Sequence, residues 1–389
     1  MEIFIRYKNK LSGLSGFSFL LLLIFSACNP TKYVPQEKFI LQKNKVILSE
    51  KKKVDKKDLK ANIKQKSNNK IVGIRFHLGL YNLSNIDKDK GIHPWLRKTG
   101  EPPVIFDISE NQKTIFQMKS FLNTKGYFDA IVEDSVFYSK QKAISEYSID
   151  LQEPYKIGKI SYIIDDPVLK PYILADSLSS HLVPGEIYQV KSIDNERDRI
   201  EYLLKDKGFY RFRKDFIYFE ADSTREAKTI DLTIHVRPKT VRLPNNEIEE
   251  VPFHRYKIGK IFIFLDYDPS EALKDPTNYY KGLDTISYKG FNFIQSNERS
   301  SLIYDVVLRL NYLYSDDLYN LTNVEQTRNH LSGLTMIRHV DLYFTEMGQQ
   351  QVSDTSALTL DCNLQIVPNK LQSYSIELEG TNSSGNLGA

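Results

Sequence analysis

Cysteine and tryptophan are scarce in this sequence. Its 389 residues include two cysteines, Cys28 and Cys362, and one tryptophan, Trp95. Because Cys28 ends a leader segment, Cys362 is left without a partner for an internal disulfide. The stability of the mature chain must therefore come from packed cores.

Motifs for catalysis and metal binding are also missing. No GxSxG, Walker A or GxGxxG pattern follows a predicted strand, and the net charge of +4 makes no strong case for nucleic acid. The seven histidines form neither HExxH nor a paired-cysteine pattern: they are His77, His93, His181, His235, His254, His330 and His339. The sequence predicts a protein that is not an enzyme, with no cofactor and no metal.

The first 28 residues have the pattern of an export signal. Basic residues at positions 6–10 precede an apolar run at 17–25, which is too short to span a bilayer. Small residues then lead into Cys28, as in bacterial lipoprotein signals, whose cysteine carries the lipid. We predict lipidation of Cys28 and a tether over residues 29–40. An uncleaved anchor or plain secretion is the alternative.

Two short motifs occur twice. YKIGKI fills residues 155–160 and 256–261, and each copy runs into a strand-like stretch. LNTKGYF at 122–128 is echoed by LKDKGFY at 204–210. Repeats on this scale indicate one small folding unit used several times, an architecture that usually holds or guides other molecules.

Each unit is predicted to contain one strand, two helices and two more strands. The second unit is clearest, because Ile230, Leu232, Ile234 and Val236 alternate with polar residues as in a half-buried strand. The fold class is α+β, with helices on one face of a small mixed sheet. The predicted units cover residues 41–153, 155–238 and 255–368.

Other segments decorate these units. We expect a long insertion at about 72–106, which carries Trp95, and a polar linker at 239–254. Ser109 with Gln112 forms the pattern of a capping box, and Gly126 and Gly208 stand where helix-ending glycines belong. The alternation of the last predicted strand points Cys362 inward, as a packed core thiol.

Lysines crowd residues 51–66. One interpretation is that this face contacts anionic lipid headgroups or an acidic partner. The other is a solvated helix face in which Asp55 and Asp58 are interspersed, and this is the interpretation that we favour.

One strand edge per unit is expected to stay open. An open edge can accept an extended peptide through main-chain hydrogen bonds, with little demand on its sequence. The candidate docking positions lie on two strands of the third unit: Ile261, Ile263, Leu265, Val340, Leu342 and Phe344.

Together these features resemble the POTRA repeats of the BamA/TamA superfamily of outer-membrane assembly proteins. Three stretches are similar to the TamL-like lipoproteins of Bacteroidetes. They are TKYVP with FILQKNKV (31–35 and 39–46), GLYNL with WLRKTGEPP (79–83 and 95–103), and SYSIELEGTNSSGNLGA (373–389). In that family the last stretch resembles the first barrel strand, so we assign residues 369–389 to its start. The sequence contains no complete β-barrel.

The resemblance implies a lipid-anchored arm on the periplasmic face of the bacterial outer membrane. Its partners would be outer-membrane protein clients and a periplasm-spanning protein of TamB type, and not nucleic acid. The alternative is a lipid-anchored binding or scaffold lipoprotein unrelated to barrel assembly.

Overall fold

Three mixed sheets, one in each predicted unit, form the framework of the chain. The computed structural model describes residues 29–49, 54–71, 73–243, 245–296, 304–347, 357–369, 381–383 and 386–388. The first sheet contains β1 (Ile40–Leu48), β2 (Ile131–Ser139) and β3 (Lys142–Asp150) in the order β1-β3-β2. β3 is parallel to β1 and antiparallel to β2. The last strand of the unit therefore lies in the centre.

The second sheet repeats this order. It consists of β4 (Lys156–Ile164), β5 (Ile217–Thr224) and β6 (Thr229–Val236), arranged β4-β6-β5. The alternating apolar residues of β6 are all buried, as predicted. The segment expected to be a polar linker contains an antiparallel hairpin of β7 (Lys239–Arg242) and β8 (Ile248–Val251).

The third sheet is larger than expected. Its five strands are β9 (Tyr256–Phe264), β10 (Leu283–Tyr288), β11 (Phe291–Ser296), β12 (Ile337–Glu346) and β13 (Leu358–Pro368), in the order β10-β11-β9-β13-β12. The β10–β11 hairpin was not predicted. Its signal is Lys289-Gly290, since both residues adopt positive φ (50° and 82°), as a tight hairpin turn requires.

Ten α-helices connect the described strands. They are α1 (Lys56–Ala61), α2 (Phe76–Leu83), α3 (His93–Thr99), α4 (Ile108–Thr124), α5 (Lys170–Ala175), α6 (Val190–Asp206), α7 (Pro269–Lys274), α8 (Pro276–Lys281), α9 (Tyr304–Arg309) and α10 (Leu321–Ser332). Short 3₁₀ turns lie at Ser177–Ser179 and Lys214–Phe216. Among the described residues, no helix combines the length and the apolar character that crossing a membrane would need.

These elements confirm the predicted α+β class. The second unit has the plain strand–helix–helix–strand–strand order, and the first and third units contain it with additional helices and, in the third, the β10–β11 hairpin. The N-cap of α4 differs from the prediction. It is Asp107, whose carboxylate accepts a hydrogen bond from Ser109 N, so the proposed Ser109–Gln112 capping box is wrong. Of residues 369–389, the structure describes 369, the short strand β14 (Thr381–Ser383) and the short strand β15 (Asn386–Gly388). Most of the predicted barrel-strand start lies outside the described residues, as do Cys28 and the signal segment.

The chain divides into two compact units that differ from the sequence repeats. Of the described residues, the first unit takes those within 29–159, 184–191 and 222–231, and the second takes those within 160–183, 192–221 and 232–388. In the first unit α4 places Met118 and Leu122 against Val132, Tyr147 and Ile149 of the sheet. In the second unit the main core lies between the five-stranded sheet and the helices α9 and α10.

The repeated YKIGKI motif makes the same backbone-to-carboxylate hydrogen bond in β4 and β9, and in β9 the motif contains a bulge. In β9 two residues, Gly259 and Lys260, lie opposite Asp361 of β13. The Asp361 carboxylate accepts a hydrogen bond from Lys260 N at 2.8 Å. At the first copy, Asp231 accepts one from Lys159 N at 2.7 Å. The glycine of the motif leaves room for this carboxylate.

Replacing Gly259 with alanine is expected to destabilise the protein by about 1–3 kcal/mol, because the buried carboxylate would lose its backbone donor. A Cβ at this position would lie 2.4 Å from Asp361 Oδ1 and 2.6 Å from Thr359 Cγ2. Urea denaturation gives the difference. Gly282→Ala is the matched control, since its Cβ would meet nothing nearer than 3.6 Å. Equal values for the two variants would contradict this account.

Candidate functional site

Strand β9 is an inner strand. It pairs with β13 on one side and with β11 on the other, and its residues Ile261 and Ile263 are buried. Leu265, which follows the strand, is also buried and donates its amide to Ile294 O at 3.2 Å. The predicted edge along residues 261–265 is therefore wrong, because the unpredicted β10–β11 hairpin covers that side of β9.

Strand β12 lies at an edge of the five-stranded sheet. It pairs with β13 over its whole length, and no other described strand follows it in the sheet. Val340 and Leu342 are buried in the core, whereas Tyr343 on the opposite face is exposed. The structure thus places Val340, Leu342 and Phe344 on an edge strand, as predicted, while docking of a peptide there stays a prediction.

The direction of the β12 amides follows from two hydrogen bonds. Met347 N, just beyond the strand, donates to Thr359 O beside β13 at 3.1 Å. Leu342 N instead donates to Asp341 Oδ1 at 2.9 Å, a side chain of its own strand. Because donors alternate in an antiparallel pair, the amides of Val340, Leu342 and Phe344 point away from β13. The outward donor of Leu342 is occupied by the Asp341 carboxylate.

The same edge recurs in the other two sheets. β2 and β5 are the second-to-last strands of their units, and each lies at the end of its sheet order, as β12 does. This follows from placing the last strand of each unit in the centre.

Aromatic side chains gather beside β12. The Tyr210 ring lies 5.7 Å from Tyr256, 5.1 Å from Tyr319 and 5.7 Å from Phe344, in edge-on arrangements. Gly208, with φ of 98°, ends the preceding helix and accepts a hydrogen bond from Tyr256 N at 2.9 Å. The KGFY echo and the tyrosine of YKIGKI therefore meet at this junction.

A second junction has the same construction within the first compact unit. Phe128 lies 5.2 Å from Tyr155 and 5.7 Å from Tyr188 between ring centroids. Gly126, with φ of 86°, accepts a hydrogen bond from Tyr155 N at 2.8 Å. Sequence reasoning found both repeated motifs but did not connect them.

The two junctions carry ion pairs of opposite polarity. Three residues after each glycine stand Asp129 in the first and Arg211 in the second. Asp129 pairs with Lys228, and Arg211 pairs with Glu346. If the segments of the two junctions were exchanged, Asp129 would face Glu346 and Arg211 would face Lys228, and like charges would repel. The charges therefore favour the observed pairing of segments at each junction.

Glu346 has an altered acidity. Burial alone would raise the pKa of this carboxyl, but the hydrogen bonds from Arg211 and Tyr256 outweigh it, and the pKa lies below its ordinary value. Burial, followed by the negative charge of Glu346, raises the pKa of Tyr256 to about 12. The Tyr256 hydroxyl donates to Glu346 Oε1 at 3.2 Å.

Arg211→Gln is expected to reduce the loss of stability in acid. A carboxyl whose folded pKa is depressed stabilises the protein above the unfolded pKa, and this contribution is lost as the pH falls through the folded pKa. Between about pH 5 and pH 3 the wild type should therefore lose more unfolding free energy than the variant. Arg213→Gln, which removes the same charge from a nearby exposed position, is the control. If the free energy of unfolding fell in parallel with pH for the wild type and both variants, the prediction would be contradicted.

Metal-binding and nucleophilic side chains were the other candidates for a site. The described residues contain no cluster of histidine, cysteine, aspartate and glutamate that could hold a metal ion. Cys362 is buried as predicted, and burial followed by the charge of Asp361 raises the pKa of its thiol to about 12. A groove of about 560 Å³ along α6 is lined by charged and polar side chains, among them Asp176, Arg199 and Asp206.

No family model matches the sequence. No curated protein matches it either. Among solved structures, the chain is similar to POTRA domains 3–5 of BamA from Haemophilus influenzae, at 10% identity and a TM-score of 0.36, over 86% of this chain and 99% of that one. It is also similar to POTRA domains 1–3 of the periplasmic domain of Omp85 from Anabaena, at 10% identity and a TM-score of 0.24, over 86% and 97% of the two chains. The similarity to CdiB from Escherichia coli has 10% identity and a TM-score of 0.21, over 59% of this chain and 36% of that one.

Proposed function

We propose that this chain is the periplasmic POTRA arm of an outer-membrane protein assembly or translocation factor, and that it docks extended client polypeptides by strand addition. The observation that carries the proposal is the edge strand β12, whose outward amides alternate with the exposed Tyr343. The same strand position is an edge in all three sheets. An array of equivalent edges suits a protein that handles unfolded chains of many sequences, because main-chain hydrogen bonds make little sequence demand.

The proposal also covers the location and the partners of the chain. The signal pattern ending at Cys28 supports lipid anchoring, and the stretches that resemble TamL-like lipoproteins support the outer membrane and a TamB-type periplasmic partner. Intact-mass measurement of the protein purified from membranes tests the anchor. An unmodified Cys28 would refute it without affecting strand docking.

Photo-cross-linking tests the docking edge. A photoreactive phenylalanine analogue at Tyr343, which is exposed on β12, should capture an unfolded outer-membrane protein or an alternating apolar peptide. Phe344→Pro removes an outward donor and should reduce capture by about ten-fold or more, equivalent to roughly 1.4 kcal/mol. Phe344→Leu loses the same ring but keeps the amide, and should retain capture. Equal capture by the two folded variants would refute docking on β12.

Asp341→Ala is expected to strengthen docking. The Asp341 carboxylate occupies the outward amide of Leu342, so an incoming strand must displace it. Freeing this donor should raise peptide affinity by about two- to ten-fold, the equivalent of one hydrogen bond of roughly 0.5–1.5 kcal/mol. Fluorescence anisotropy with a labelled peptide measures the change. Glu133→Ala on β2 removes an exposed carboxylate from another edge strand and serves as the control.

A further inference from the structure

The turn between α2 and α3 exposes an unusual set of apolar side chains. Four large residues are about half exposed within thirteen positions: Leu83 (45%), Ile86 (48%), Ile92 (60%) and Trp95 (56%). We call these four residues the turn surface. The loop at 86–92 that joins the helices is exposed throughout. Exposed apolar groups concentrated in this way mark a surface that contacts another apolar phase or partner.

The beginning of the described chain is fixed beside the turn surface. Asn82 Nδ2 donates to Asn29 O at 2.9 Å, and Lys32 Nζ donates to Asn82 O at 2.6 Å. The Tyr33 hydroxyl donates to Ser84 O, and the Tyr33 ring lies 5.9 Å from that of Tyr81. Asn29, Lys32 and Tyr33, which lie in the predicted tether, are thus bonded to residues of the insertion on either side of Leu83.

We propose that the turn surface rests in the interfacial region of a lipid bilayer. The inference depends on the proposed lipidation of Cys28. Consecutive Cα atoms lie about 3.8 Å apart, so the lipid-bearing residue would be one step from Asn29. Four residues span at most about 14 Å, which limits the distance from Asn82 to Ile86 along the chain. The anchor therefore holds this surface at the membrane, whatever the rest of the molecule contacts.

The chemistry of the turn suits lipid headgroups. Tryptophan is enriched where the apolar core of a bilayer meets water, because its ring is amphipathic. Lys88 and Lys90 are exposed on the same loop, while Asp89 is paired with Arg97 at 2.8 Å. Lysines beside apolar side chains favour a surface that contains anionic lipid, although Asp87 on the same loop is also exposed. The covering partner that we infer is the bilayer to which the chain is anchored.

Trp95 provides the test, because it is the only tryptophan. The full lipidated chain is reconstituted in vesicles of phosphatidylethanolamine and phosphatidylglycerol, with or without brominated acyl chains. We expect a blue-shifted emission and about two-fold quenching by the brominated lipid, since an interfacial ring lies at the edge of the hydrocarbon. Ile86→Asp combined with Ile92→Asp should abolish both effects. Phe116→Asp, which alters an exposed ring on α4, should change neither.

Two results would overturn the inference. One is that acrylamide quenches the Trp95 fluorescence and brominated lipid does not. The other is protection from acrylamide only in native outer-membrane preparations, which would assign the surface to a protein partner. Intact mass separates these results from a failure of the anchor. A lipidated chain with unquenched Trp95 refutes only the turn surface, whereas an unmodified Cys28 refutes the anchor.

Discussion

Replacing Arg199 with alanine is expected to lower the free energy of unfolding by about 3–5 kcal/mol, because it leaves a buried carboxylate without its counterion. Glu196 on α6 is fully buried. Arg199 donates through Nε and Nη2 to its two carboxylate oxygens, at 2.9 and 2.7 Å. His181 N adds a third donor at 2.8 Å, and Arg199 also bonds Asp176. The arginine therefore holds the start of the segment after α5 against α6.

Chemical denaturation followed by circular dichroism measures this effect. Arg197→Ala is the matched control, since Arg197 lies on the same helix and pairs with Asp194 at 2.9 Å in a more exposed setting. Exposed pairs contribute about 0–1 kcal/mol, so the control should be several-fold milder. If the two variants lost similar amounts of unfolding free energy, the Arg199–Glu196 pair would stabilise the protein no more than a surface pair does.

Replacing Phe293 with alanine is expected to lower the free energy of unfolding by about 3–5 kcal/mol, the usual range for a large core aromatic. Phe293 on β11 is fully buried, and its ring stacks on Tyr304 with centroids 4.3 Å apart. It belongs to the main core of the second compact unit, together with residues of β9, β12 and β13. The unpredicted hairpin is thus part of the core.

Ile286→Ala is the control for this prediction. Ile286 on β10 lies directly opposite Phe293 in the hairpin and is 39% exposed. Its truncation should cost well under half as much, because less apolar surface leaves contact with the core. A loss below about 1 kcal/mol for Phe293→Ala would show that the hairpin only borders the core.

Local patterns in the sequence predicted much of the architecture. The period-two alternation of Ile230, Leu232, Ile234 and Val236 and the helical spacing of Ile193, Ile200 and Leu204 correspond to buried faces. The helix-ending glycines were also predicted, because a residue with positive φ at the end of a helix is usually glycine. Each of these features depends on residues that are close in the chain.

The sequence by itself determined the α+β class, the repeated order of elements and the buried faces of strands such as β6. Only the tertiary structure decided that β9 is internal, that β12 is an edge with Asp341 on its outward amide, and that Glu196 is buried against Arg199. It also decided that Asn29 is held by Asn82. The reason is physical: alternation records which side of a strand is apolar, because that depends on its own side chains. Which strand lies beside it depends on pairing between segments far apart in the chain, and alternation carries no record of that choice.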